Sequence, residues 1–130
     1  MPYKSFWYRE NRIVFTEVIG DFSTNEMISL NRQFNEVYFA PDQQNPIHLI
    51  ADIRAMSTDF ENLALIRDIT KQVAMHPALG WVILVGYDDS YFQSISKTIF
   101  QLLGVNCKLV QTLDEAEKTL EQFNYVNIIH

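Results

Sequence analysis

The sequence predicts one α/β domain on an open, mostly parallel sheet, and three observations carry that expectation. Two apolar runs, 47–53 and 81–87, show little alternation of polar and apolar residues. Central parallel strands covered on both faces have this pattern. Stretches with apolar residues at helical spacing separate the runs, and two capping boxes, Ser23-Thr24-Asn25-Glu26 and Thr112-Leu113-Asp114-Glu115, mark helix starts. The resulting order, β-β-α-β-α-β-α-β-α, implies right-handed crossovers within a single domain spanning 1–130.

The chain opens with SFWYRENRIVFTEVIG, two β-rich arms around Glu10-Asn11-Arg12, so a hairpin supplies one antiparallel edge strand. Gly20 and Asp21 end its second arm. The first helix follows Ser23, with Met27, Leu30, Asn31, Phe34, Val37 and Tyr38 on its periodic face, and closes at Ala40-Pro41-Asp42. The next strand runs from Ile47 to Ile53. A second helix covers about Phe60 to Met75 and stops at Pro77, which disfavours helical geometry in the residue before it. Trp81 to Tyr87 is a strand, and Asp88-Asp89-Ser90 opens a third helix whose C-terminal cap is Gly104. CKLV, at 107–110, is a short strand, and the helix after Thr112 uses Leu113, Ala116, Leu120 and Phe123. The domain core spans about 4–123, followed by an apolar tail at 124–130.

Charge narrows the function classes. Ten Lys and Arg stand against sixteen Asp and Glu, for a net charge of −6. Nucleic acid and anionic membranes need clustered cations, so neither is expected as a partner. The single cysteine, Cys107, lies in a strand and is expected to be an inert small hydrophobe. The N-terminus lacks a signal-peptide apolar core, and a cytoplasmic location is expected.

Ligands of open α/β sheets bind outside the carboxyl ends of the strands. Here that rim carries Asp21, Asp52, Asp59, Tyr87, Asp88, Asp89 and Ser90, with Arg54 as its clear cation. No glycine-rich phosphate loop occurs, which argues against nucleotide binding, and no cofactor is expected. An Mg²⁺-dependent phospho-receiver or enzyme would use Asp52 with Asp88 and Asp89. Yet Lys108 is at the start of the last strand, where a receiver wants its lysine at the end. Asp21, Asp59, Asp88 and Asp89 lie near helix starts and read first as caps, leaving Asp52 unexplained. His48, His76 and His130 have no catalytic or metal-ligand spacing; a hydrogen-bonded, buried His48 and no metal site are expected. Apolar residues beyond one buried stripe, Tyr91, Phe100, Val126, Ile128 and Ile129, suggest a homodimer surface. The same surplus could instead line a pocket for a small apolar ligand or lipid.

RIVFTEVIGDFSTNEM, IHLIADIRAMSTDF, LGWVILVGYDDSYFQSISKTIFQLLG and TLDEAEKTLEQF together resemble the STAS-like, or anti-sigma-factor-antagonist-like, domains over about residues 4–123. The resemblance implies near-sequential strand order, helices largely on one face, and protein–protein recognition in regulation rather than catalysis. It places a switch or ligand loop on Arg54 to Asp59, with Ser57 and Thr58 as hydroxyls. Antagonist members carry an Asp-Ser-Ser-Gly type motif there, whereas this chain has Ser57-Thr58-Asp59-Phe60, as in a divergent branch of the family.

Overall fold

The computed structural model describes residues 3–10, 12–21, 23–39, 46–57, 71, 76, 78–86 and 98–129. Five strands form one sheet: β1 (Tyr3–Arg9), β2 (Ile13–Asp21), β3 (Ile47–Ser57), β4 (Leu79–Val85) and β5 (Cys107–Val110). Their spatial order equals their sequence order. β1 runs antiparallel to β2, and β2 to β5 are mutually parallel. This is the open α/β sheet with one hairpin edge that the sequence predicts. The hairpin closes where the Arg12 N–H donates to the Arg9 carbonyl at 3.0 Å. A register shift between Trp7 and Arg9 absorbs the three-residue loop.

Both capping boxes form. Helix α1 (Thr24–Gln33) starts at Ser23, whose hydroxyl accepts the Glu26 N–H at 3.3 Å and donates to Glu26 Oε1 at 2.9 Å. Helix α2 (Leu113–Ile129) starts at Thr112, whose Oγ1 accepts the Glu115 N–H at 3.2 Å. Glu115 Oε2 in turn accepts the Gln111 N–H at 3.4 Å, so the free donors of this helix end are shared between two side chains. Residues 98–102 are helical and stop at Gly104, which has φ 73°. There the Gly104 N–H reaches the Gln101 carbonyl and the Val105 N–H reaches the Phe100 carbonyl, the paired bonds of a left-handed glycine cap.

Side chains alternate across the pleat, so each strand feeds two cores. On one face Val14, Ile47 and Ala78 meet Leu30, Phe34, Tyr38 and Phe39. α1 continues there into a π-helical turn, Phe34–Tyr38, which turns Phe34 and Tyr38 inward and leaves Val37 60% exposed. Trp7 meets Tyr38 edge-on with ring centroids 5.0 Å apart. Farther along the sheet, Ile53, Val82 and Leu84 pack with Phe100, Val105 and Cys107. On the opposite face Ala116 and Leu120 of α2 cover Ile13, Phe15, Ile50, Ile83, Val85 and Val110.

Four sequence expectations change. β3 does not end at Ile53 but continues to Ser57, because Ala55, Met56 and Ser57 pair with Ile19, Gly20 and Asp21 beyond a shift in the β2 register. Arg54 to Ser57 are thus strand rather than loop. The described helices divide between the faces instead of gathering on one, since the chain crosses over after β5. The expected tail at 124–130 is, through Ile129, the last part of α2. Phe100, expected at a dimer surface, is partly buried and packs against Ile53, Val82 and Leu84. Of the expected second helix at about 60–75 only Lys71, which is helical, is described; Thr58, Asp59, Tyr87, Asp88, Asp89, Ser90 and Tyr91 lie outside the described residues. So do the side chains of Asp21, Ser57, Val126, Ile128 and Ile129.

Candidate functional site

One row of residues crosses the sheet near the carboxyl ends of its parallel strands. Lys4 pairs with Glu17, Glu17 with Asp52, Asp52 with Val85, and Val85 with Val110. In-register neighbours share a face, and this is the face that α2 covers at Val85 and Val110. The row is apolar under the helix and charged beyond it. Lys4 Nζ lies 3.7 Å from Glu17 Oε1, an exposed pair that adds little stability.

Asp52 is the centre of the row and is only 4% exposed. A carboxylate so placed needs partners, because burying an unpaired charge is costly. Arg54 supplies them from two positions along the same strand, the spacing that returns a side chain to the same face. Its Nε donates to Oδ1 at 2.9 Å, its Nη2 to Oδ2 at 2.7 Å, and its backbone N–H to Oδ1 at 3.1 Å. This is a bidentate guanidinium–carboxylate fork, the strong form of the interaction. The Arg54 hydrogen bonds hold the Asp52 carboxyl below its ordinary pKa against the opposing effect of burial, and Asp52 in turn raises that of Arg54.

The stem of Arg54 rests on Gly86, the residue that follows β4. Gly86 has φ 89°, and a methyl group there would coincide with Arg54 Cγ. Its N–H donates to the Val110 carbonyl at 2.9 Å, which fixes this seat to the neighbouring strand. The side chain of Arg54 nevertheless stays 55% exposed, against 5% for Asp52. A buried acid below and a glycine beside it therefore hold an outward-facing cation. Nε and Nη2 are occupied by Asp52, and among the described residues nothing takes the Nη1 edge, which leaves it for a carboxylate or phosphate from outside.

Of the residues singled out in the sequence, the structure thus brings Asp52 and Arg54 together. It places Asp21 and Ser57 opposite one another at the ends of β2 and β3. Sequence reasoning missed Glu17, Lys4 and Gly86. The Asp-x-Arg spacing was a legible signal for the fork, but only in a segment known to be strand.

Both Asp52 oxygens are bound by a cation, which suppresses its use as a base or metal ligand. Among the described residues, no group of three His, Cys, Asp or Glu side chains is placed to hold a metal ion. A cleft between α2 and the hairpin, lined by Tyr8, Arg9, Ile13, Ile50, Glu117, Leu120 and Glu121, encloses about 10 Å³, space for one water. No described helix is long and apolar enough to cross a membrane. No protein-family model matches the chain, and no curated protein matches it.

Proposed function

We propose that the chain is a non-enzymatic, STAS-like regulatory domain that binds a protein partner at the carboxyl ends of β2, β3 and β4. The observation that carries this reading is the Arg54 fork, anchored by buried Asp52 and seated on Gly86 while its outer edge faces solvent. An anchored arginine has already lost much of its side-chain entropy, so a partner's carboxylate or phosphate meets a preorganised donor. The expected contact is therefore an acidic side chain, or a phosphorylated one, on the partner. Self-association belongs to the same proposal: Leu102, on the helical segment that carries Phe100, is 73% exposed and gives a homodimer an apolar contact.

Proteins that co-purify with the wild-type domain, quantified by mass spectrometry, test this reading. Binding of the specific partner should fall at least about tenfold with Arg54→Ala, the scale of losing one charged hydrogen-bonded contact. Arg54→Lys should restore it only in part, since the ammonium keeps the charge and loses the fork. An identical set of bound proteins at equal yield in all three forms would remove the proposal.

A further inference from the structure

Two histidines converge on the start of β4 by the same chemistry. His48, in β3, is 4% exposed, and its Nδ1 accepts the Trp81 backbone N–H at 2.9 Å. Its ring lies on Gly80, where a methyl group would collide with Nδ1, so the approach depends on that glycine. His76 precedes the strand, and its Nδ1 accepts the Ala78 backbone N–H at 3.0 Å. Its ring lies against Phe39, centroid to centroid 4.6 Å, and Phe39 belongs to the core under α1. The two bonds bracket Leu79, the first residue of β4, while the Ala78 carbonyl accepts the Ile47 N–H at the start of β3.

A ring nitrogen accepts a hydrogen bond only while it carries no proton. Both contacts therefore require neutral imidazoles with Nδ1 bare, and a proton on either Nδ1 would face a backbone N–H. We propose that His48 is a proton-operated latch that fixes the start of β4 at neutral pH and releases it on acidification. Burial lowers the proton affinity of His48, and the Arg12 guanidinium at the start of β2 lowers it further, while Gly80 and Trp81 of β4 bring no charge. For a histidine shifted downward in the folded state, stability is full above the unfolded value near 6.5. It declines as pH falls through that value toward the folded one. The latch thus opens in the range where histidine is the side chain that titrates. Release would free the end of β4 that meets Phe39 and Ile47.

Amide hydrogen exchange on the full chain, at about pH 7.5 and about pH 5.5 with intrinsic rates divided out, tests the latch. Protection at Trp81 should drop by up to about tenfold at the lower pH, the limit set by one pH unit below the ordinary histidine value. Protection at Ile83 and Val85, in the middle of the same strand, should change less. In His48→Asn an amide oxygen can take the place of Nδ1 without titrating, so Trp81 should keep its protection at both values. Unchanged protection at Trp81, or a loss that is uniform along β4 and the same in His48→Asn, would overturn the proposal.

Discussion

Gly86→Ala is expected to destabilise the domain by about 1–3 kcal/mol through backbone strain alone, since φ 89° is a conformation that residues with a Cβ adopt only at cost. The steric consequence comes in addition. The new methyl group would occupy the place of Arg54 Cγ, close to the backbone, where the side chain cannot yield by moving its tip. Arg54 would have to leave its seat, and Asp52 would then lose two of its three donated hydrogen bonds while remaining buried. Gly20→Ala provides the comparison, because Gly20 has φ 68° with nothing within 4 Å of the added carbon. Chemical denaturation should show the larger loss for Gly86→Ala, and the difference between the two variants isolates the displacement of Arg54. Equal losses would mean that the seat matters only as backbone.

Ile50→Ala should cost about 2–5 kcal/mol, the range for truncating a large aliphatic side chain in a closed core. Ile50 is 0% exposed in the middle strand, with Phe15 and Ile83 opposite it on its two neighbours. Ala116 and Leu120 of α2 lie in the same cluster, so strands and helix all restrict collapse into the space left behind. The denaturation midpoint should fall with little change in slope, since the area exposed on unfolding barely alters. Leu102→Ala, at a residue 73% exposed, should stay within about 0.5 kcal/mol of wild type.

The sequence predicted the architecture well because its signals there are local. Apolar runs of strand length, Ser23 with Glu26, Thr112 with Glu115, and Gly104 each act within a few residues, and the structure forms all of them. The misreadings share a different cause. The segment Arg54-Ala55-Met56-Ser57 lacks an apolar pattern and is strand only because β2 runs beside it as far as Asp21. That partner was invisible to local reasoning. In sequence Gly86 falls within the expected strand Trp81 to Tyr87, yet its seat depends on a side chain 32 positions earlier in the chain. Gly80 likewise makes room for His48. A glycine that admits a distant side chain looks in sequence like one that makes a turn. The pair Asp52 and Arg54 stood out because no cap or strand rule explained it, and that is where the fork lies.

The partner site proposed for this domain depends on Arg54 being held by Asp52. Following the Asp52 carboxyl carbon through an NMR pH titration, in wild type and in Arg54→Ala, measures that hold most directly. In wild type the midpoint should lie below the usual carboxylate range, because the Arg54 hydrogen bonds favour the charged form. The stability contributed by the pair is then present above about pH 4 and is lost as pH falls through the depressed midpoint. In Arg54→Ala burial is opposed only by the backbone N–H of residue 54, and the midpoint should rise above that of wild type. The same midpoint in both proteins would contradict the fork and the preorganised arginine built on it.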